Sequence, residues 1–506
     1  DFVLRAAAMT AVGRLWFLVN KESMALEMKK KVAFCTLGCK VNQADSAAME
    51  TLFQKAGCEI VPFTEPADIC VINTCVVTNT GQHKSRQMIH RAVRHNEQAL
   101  VVVTGCYPQT AAEEVKLLPG VDLIIGTQER HKIVELVEAA LQRKQGGNFV
   151  HQFTPQTGFE EMSGGNQADK TRAYLKIQEG CNQFCTYCII PYARGPLRSR
   201  SLASIRSEVD RLAQAGYREV VLIGIHLGCY GQEAPLTPTK DDSSDNPGML
   251  PPQGAPLAST KAEPLPVVPA PAGADQVKTE GRVTLSDAVQ AALSVAGLER
   301  LRLGSLESVE VEERLLELMR KDKRFCQHLH LPLQSGCDKI LKAMHRPYDT
   351  AKFKQLLDNI RRRVPEIAIT TDVIVGFPGE TEADFAETCA FVQTCHFAKM
   401  HIFPYSVRQG TPAAGYKDKV VEAVKQDRAK RLAELDQRMH KQYLQQQVGR
   451  VLQVLVEQPL PEGKVEGLSG NYQRVFFPGD VSLAGRTVQV KITGWQEDGL
   501  QGVGSE

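Results

Sequence analysis

The 506-residue sequence predicts an α/β protein in three parts: an N-terminal parallel α/β domain, a central partial (β/α)6 barrel and a C-terminal small β-barrel. Three observations predict it. Apolar β-branched runs alternate with amphipathic helical stretches, the pattern of a parallel sheet with helices on its faces. Six such runs in the middle of the chain fit an incomplete barrel with its site at the carboxyl ends of the strands. The last part changes to short alternating strands with Gly turns, the pattern of a small closed barrel. A chain this long exceeds one ordinary core.

Residues 1–30 read as an N-terminal extension, because Arg14 breaks their apolar stretch and no clear cleavage site follows. The first domain spans 31–145. Its strand candidates are "KVAFCTLGC" (31–39), "ADICVINTC" (67–75), "ALVVVTGC" (99–106) and "VDLIIG" (121–126), with helical patterns at 44–57, 81–95 and 129–143. The first three strands each deliver a cysteine to the carboxyl edge, where sites form in such sheets. A polar, Gly-rich linker is expected at 146–170. The barrel, 171–440, draws strands from 173–177, 219–225, 301–304, 328–333, 367–376 and 399–405. Helices fit at 201–216, 284–297, 309–322, 350–363 and 381–396. Residues 232–281 interrupt it with a Pro-, Ala- and Ser-rich stretch that reads as a disordered insertion. A long polar helix at 418–447 leads into the last domain, 441–506.

Net charge is only +2, so a nucleic-acid partner must be met by a local basic patch and not by a basic protein. No apolar run is long enough to span a bilayer, and no membrane partner is expected. Fourteen cysteines without a compact framework indicate a reducing, cytoplasmic setting in which clustered thiols bind metal or do redox chemistry.

"EGCNQFCTYC" (179–188) puts Cys181, Cys185 and Cys188 in one Gly-containing loop. A closed zinc site needs a fourth ligand, and the nearest, His226, belongs to another loop. Three thiolates suffice for a 4Fe-4S cubane and leave one iron open. Cys39, Cys75 and Cys106 repeat the number, but they converge only if the sheet forms as described. Buried cysteines at strand ends are the alternative. Cys35 is a rival to Cys39, though it lies inside the strand. Cys58, Cys70, Cys229, Cys326, Cys337, Cys389 and Cys395 have no partner spacing and read as core or incidental residues. Arg194, Arg198 and Arg200 form a basic run beside the cluster loop. It reads as a nucleic-acid phosphate contact, which the resemblance given below makes tRNA, against the alternative of a solvated face.

The blocks "TLGCKVNQADS", "INTCVVT", "VTGCYPQ", "GCNQFCTYCIIPYARGPLRSRS", "VVLIGIHLGCYG", "HLHLPLQSGCDKILKAMHRPY", "TTDVIVGFPGET" and "FPYSVRQGTPA" resemble the methylthiotransferase family of radical S-adenosylmethionine (SAM) enzymes. The resemblance covers about residues 31–505 apart from the insertion. It makes the central part a radical SAM barrel and the last part TRAM-like, an RNA-binding module. It implies SAM and two 4Fe-4S clusters, one on Cys181, Cys185 and Cys188 and one on Cys39, Cys75 and Cys106. It implies reductive SAM cleavage to a 5′-deoxyadenosyl radical and sulfur insertion at C2 of an adenine, with an unidentified electron donor and sulfur source. Tyr187 would pack near the SAM adenine, Glu307 would meet its amino group, and Gln334 and Ser335 would hydrogen-bond it. Gly376 and Pro378 would let the backbone approach. "TLGCKVNQ", "IIPYARGPLRSRS" and "GIHLGCYG" are most similar to the branch that modifies threonylcarbamoyladenosine beside the tRNA anticodon. Arg194 or Arg198 would then pair with the carboxylate of that base. The alternatives are isopentenyladenosine in tRNA, a ribosomal protein or, in a different class, a non-catalytic iron–sulfur RNA-binding protein. Gly304 and Ser308 depart from the family pattern without removing a cluster ligand. Lys464, Arg474, Arg486 and Lys491 are the expected RNA surface of the last domain, and the helix at 83–95 is similarly basic.

Overall fold

The computed structural model describes residues 29–95, 98–143, 146–154, 157–164, 171–233 and 282–505. The extension up to residue 28 and residues 234–281 of the Pro-rich insertion lie outside the described residues.

Strands β1 (Lys31–Thr36), β2 (Glu59–Val61), β3 (Ile69–Thr74), β4 (Leu100–Gly105), β5 (Leu123–Ile125) and β6 (Gly147–Phe149) form one parallel sheet in the order β2-β1-β3-β4-β5-β6. Central β3 is buried at every position, as a strand covered on both faces must be. Helices α1 (Lys40–Lys55), α2 (Asn79–His95), α3 (Cys106–Lys116) and α4 (Ile133–Arg143) supply the cover. Val32, Met49, Val71 and Ile133 pack on one face, and Ala33, Ile72, Ile89 and Val103 on the other. The edge strands β2 and β6 are too short to show a period-two pattern in the sequence. β6 corrects the boundary drawn at residue 146. The expected linker begins as the sixth strand and continues as packed chain, with Phe153 and Met162 buried and Glu160 paired to Arg130 at 3.0 Å.

In the second part, β7 (Arg172–Lys176) leads to a short antiparallel pair, β8 (Gln178–Glu179) and β9 (Arg198–Ser199). This pair brackets the cysteine loop and helix α5 (Ile190–Arg194). The other predicted barrel strands follow as β10 (Glu219–Ile223), β11 (Arg300–Leu303), β12 (His328–His330), β13 (Ala368–Val375) and β14 (Lys399–Pro404). Parallel ladders join β7, β10 and β11, and likewise β12, β13 and β14. The bridges Leu301–Phe325 and Ser305–His330 connect the two groups. Helices α6 (Leu202–Gln214), α7 (Leu285–Leu293), α8 (Glu313–Lys321), α9 (Asp338–Ala343), α10 (Thr350–Arg363) and α11 (Glu382–Cys395) flank the strands. Ile205, Leu285, Leu315, Phe353 and Phe385 from these helices pack on Leu175, Val220, Leu222, Leu301 and Val373 of the strands.

Among the described residues no ladder joins β7 to β14, so the barrel is open on one side. Helix α1 of the first domain fills part of that opening. Val41 and Ala44 pack on Val221 and Ile223 beside Tyr174. These strand residues alternate with Val220, Leu222 and Leu175, which pack in the helix-covered core, and therefore face the lumen.

Helix α12 (Glu422–Gln445) packs on β14 and leads to a closed barrel of β15 (Val451–Leu460), β16 (Lys464–Ser469), β17 (Arg474–Pro478), β18 (Thr487–Gln496) and β19 (Gly499–Gly504), in the order β15-β16-β17-β19-β18. Its 468–472 turn seats on the amino ends of the larger barrel's strands. Arg300 donates to Leu468 O at 2.8 Å and Arg302 to Ser469 O at 3.0 Å, while both arginines pair with Glu219. Burial alone would raise the Glu219 carboxyl, but the charges of Arg302 and Arg300 hold it at about 2, below its ordinary 4.5. A depressed carboxyl contributes stability above its ordinary pKa that is lost as pH falls through the folded value. Unfolding midpoints of the wild type should therefore drop between about pH 4.5 and pH 2. Glu219→Gln should be less stable at neutral pH and fall less steeply in acid. Parallel slopes would show that Glu219 does not carry this dependence.

Candidate active site at two cysteine triads

The loop after β8 begins at Gly180, where φ is +79° and a Cβ would lie 1.8 Å from Pro196 O, so only glycine fits. Cys181 N donates to Gly195 O at 3.0 Å and Cys188 N to Cys185 O at 2.9 Å. Thr186 ties the loop to neighbouring segments. Its N donates to Met344 O at 3.1 Å, and Ala413 N donates to its O at 2.8 Å. Arg346 donates to Cys185 Sγ at 3.1 Å and to Tyr348 Oη at 3.0 Å, and it pairs with Glu307. His226 Nδ1 lies 3.3 Å from Cys181 Sγ, and His226 Nε2 lies 2.7 Å from Glu310. Burial raises the Cys185 thiol against the lowering influence of Arg346. Burial, then the neighbouring Cys185 and Cys181, raises Cys188.

The other three cysteines also converge. Cys39 caps α1, Cys75 follows β3 and Cys106 opens α3. A Cβ on Gly38 would lie 2.8 Å from Cys75 Cβ and 3.0 Å from its Sγ, so glycine lets the first turn close on the second. Burial raises Cys106 to about 11; Arg194 opposes the rise, while Cys39 and Cys75 add to it. Arg194 Nε donates to Cys106 Sγ at 3.2 Å. Arg408 is buried beside Cys75, and its Nε has no hydrogen-bond partner. Cys35 lies within β1 and does not join this group.

Both triads thus place three thiols in a basic frame. Thiols raised by burial become thiolates readily only against positive charge, which cluster iron supplies. An orphaned buried Arg408 N–H fits the same anionic group. The residues present therefore fit a cubane at each triad.

The basic run next to the first triad is not a surface. Arg194, Arg198 and Arg200 are 0%, 5% and 4% exposed, which overturns the expectation that they meet phosphate. Arg194 pairs with Asp45 at 3.0 Å and Glu179 at 3.1 Å, and it bonds Asn42. Lys176 and Arg130 pair with the same two carboxylates. Arg198 donates to Arg194 O at 2.9 Å, and Arg200 donates to Lys176 O at 3.1 Å. This buried network connects α1, the residue two positions before Cys181, and Cys106. It ties one triad to the other. The sequence holds no sign of it, because Asp45 and Glu179 are far from each other along the chain.

Tyr187 packs with Cys337, Phe377 and Tyr405, with its hydroxyl 3.5 Å from Arg346. Gln334 bridges into β13 at the carboxyl side of the barrel. Ser335 is buried and turns its hydroxyl to Thr388 at 3.3 Å, so packing accounts for it. Gly376 has φ +72°, and a Cβ there would lie 2.2 Å from Lys425 Cγ. Lys425 explains that glycine without a cofactor, and Pro378 is buried beside it. Arg346 and Arg408 lie in the motif blocks but escape a reading that looks only for ligands, and His226, weighed there only as a zinc ligand, instead links Cys181 to Glu310.

Residues 31–126 match the family described as Uncharacterized protein family UPF0004, residues 175–242 and 282–392 the Radical SAM superfamily, and residues 445–502 the TRAM domain. A protein of Bacillus subtilis (strain 168) named Threonylcarbamoyladenosine tRNA methylthiotransferase MtaB is 40% identical over 465 residues, 91% of this chain and 93% of that protein. The chain belongs to the radical SAM methylthiotransferase family. Another methylthiotransferase named MtaB, from Aquifex aeolicus (strain VF5), is 36% identical over 84% of this chain and 92% of that protein. A tRNA-2-methylthio-N(6)-dimethylallyladenosine synthase of Alkaliphilus oremlandii (strain OhILAs) is 31% identical over 94% of this chain and 92% of that protein. Among solved structures, the radical SAM methyltransferase TsrM from Kitasatospora setae shares the fold, with a TM-score of 0.51 and 13% identity over 87% of this chain and 80% of that one. Membership in the radical SAM methylthiotransferase family implies a 4Fe-4S cluster and SAM. Among the described residues, no helix of this methylthiotransferase is long and apolar enough to cross a membrane.

Proposed function

We propose that this enzyme adds a methylthio group to C2 of N6-threonylcarbamoyladenosine, the adenosine just 3′ of the anticodon in tRNA, with two 4Fe-4S clusters. The observation that carries the reading is the pair of three-thiol sites coupled through Arg194. The proteins named for threonylcarbamoyladenosine at 40% and 36% identity, against 31% for one named for dimethylallyladenosine, favour this base over the isopentenyl one. Cys181, Cys185 and Cys188 hold one cluster and Cys39, Cys75 and Cys106 the other. Bound there with SAM, they would supply its one-electron cleavage and the sulfur, with a second SAM as the methyl donor, chemistry that acid–base side chains cannot perform on an unactivated aromatic C–H.

The chain's own residues hold the parts in register. Arg346 and Arg194 donate to one thiol of each triad and favour its thiolate. Tyr187, Glu307 and Gln334 border the barrel triad and line the place of SAM. Lys464, Arg474, Arg486 and Lys491 of the terminal barrel are exposed and would meet tRNA phosphate, Arg474 and Lys464 by exchanging their pairs with Glu466 and Glu462. Contacts of this kind make binding fall with salt. The electron donor and sulfur source are external partners, and the thiolate chemistry suits the reducing cytoplasm.

Reconstituted enzyme supplied with reductant, SAM and sulfide should convert threonylcarbamoyl-modified tRNA to its 2-methylthio form, read by nucleoside mass spectrometry. Product only from isopentenylated tRNA, or only from a ribosomal protein, would overturn the substrate assignment.

A further inference from the structure

The open side of the barrel has a distinct lining. Along β14, Lys399, His401 and Phe403 are exposed while Met400 between them is buried. The lumen face of this edge strand is therefore open to solvent. Opposite it, the first βα turn ends in Cys39 and Lys40, both exposed. The Lys40 ammonium lies 5.7 Å from the ring centre of Tyr472, which stacks on His328 at 4.5 Å. The His401 ring lies 5.6 Å from that of His330. Burial first, and then positive neighbours that include Lys40, lower both His328 and His401. Lys40 thus reaches from the thiol-bearing turn along the open side of the barrel to the Tyr472–His328 stack, where the terminal barrel adjoins it.

Of the arginines around this volume, Arg408 makes no ion pair among the described residues but is buried and bonds Asn79, and the others are already in ion pairs. Arg172 holds Glu457, Arg300 and Arg302 share Glu219, Arg346 holds Glu307, and Arg194 holds Asp45 and Glu179. Lys399 starts β14, is not adjacent to a cysteine of either triad, and its charge acts on Asp436. Lys40 makes no ion pair among the described residues, and it adjoins Cys39. A mouth that holds one unpaired ammonium next to a thiol site is suited to an anion on the molecule that enters it.

We propose that Lys40 is a specificity-determining residue, pairing with the carboxylate carried by the N6 substituent of the target adenine. The inference rests on the proposed function and deepens it, because Arg194 and Arg198 are buried and unavailable for this task. An apolar N6 substituent offers Lys40 nothing, and it would cover the exposed ammonium without pairing it. Lys40 therefore favours the acidic base over an apolar one of similar size.

The test uses the full chain and synthetic anticodon stem–loops that carry the threonylcarbamoyl acid, its methyl ester or an isopentenyl group. Binding is read by fluorescence anisotropy, and iron content is checked for each variant. Wild type should bind the acid roughly 10- to 100-fold tighter than the ester, the range expected for one charge-assisted hydrogen bond. Lys40→Met should bind acid and ester alike, at the wild-type ester level, with iron content unchanged. Lys40→Arg should keep most of the preference. If Lys40→Met retains the full preference, the Lys40 assignment falls and the substrate reading stands. If wild type prefers the isopentenyl stem–loop, both fall.

Discussion

Replacing Cys181, Cys185 and Cys188 together with Ala is expected to abolish SAM cleavage and to remove about half of the bound iron. The remaining half should stay on Cys39, Cys75 and Cys106. Each triad is a separate three-thiol site with its own arginine donor, Arg346 on Cys185 and Arg194 on Cys106, so each loads without the other. The converse triple replacement at Cys39, Cys75 and Cys106 should also halve the iron. It should leave cleavage of SAM to 5′-deoxyadenosine intact and abolish only methylthio product. Iron and sulfide assays with chromatography of 5′-deoxyadenosine read all these outcomes. Full iron after the second replacement would mean that the first domain holds no cluster. Lost SAM cleavage with half the iron retained would mean that the two sites do not act separately.

The second large effect is structural. Arg194→Met should destabilise the protein by about 3–5 kcal/mol, the cost of removing one partner from a buried ion pair. Arg194 is fully buried and holds Asp45, Glu179, Asn42 and Cys106 at once. Without it, Asp45 and Glu179 keep only Lys176 and Arg130 as partners. Arg194→Lys should not rescue the loss, because a single ammonium cannot span four acceptors that a planar guanidinium fork reaches. Burial alone would raise both carboxyls, but Arg130, Lys176 and Arg194 hold Asp45 and Glu179 below their ordinary values. Their stabilisation is therefore present above the ordinary carboxylate range and is lost as pH falls below it. Urea midpoints across pH should show the wild type losing most of its advantage over Arg194→Met in acid. A difference below about 1 kcal/mol at neutral pH would sink the view that this network holds the two domains together.

The fold was readable where periodicity is strong. Runs such as "ICVINT" and "EVVLI" are buried throughout and can only be central parallel strands. The barrel triad was readable from spacing alone, since all three thiols share one loop. The first-domain triad was readable only through topology: Cys39, Cys75 and Cys106 are far apart in sequence and meet because parallel strands end on one edge. The arginine run misled for the opposite reason. A local cluster of charge looks solvated until its counter-charges are known, and Asp45 is 149 residues from Arg194. Lys40 escaped because one lysine in a motif has no pattern; what singles it out is a place beside Cys39 with no ion pair among the described residues. The linker at 146–170 looked unstructured because a three-residue edge strand and one buried carboxylate leave no compositional trace.

Helix α1 belongs to one domain and lines the opening of the next. A domain that lends its neighbour part of a wall cannot swing away from it as a lid would. The gap between the two sets of thiols is therefore a fixed dimension of the molecule, set during folding and not by the arrival of substrate. Whatever is to be modified must leave its own stack and travel to that gap. Small changes at Val41 or Ala44, distant from any reacting atom, would act as shims that alter the spacing between the two halves of the chemistry.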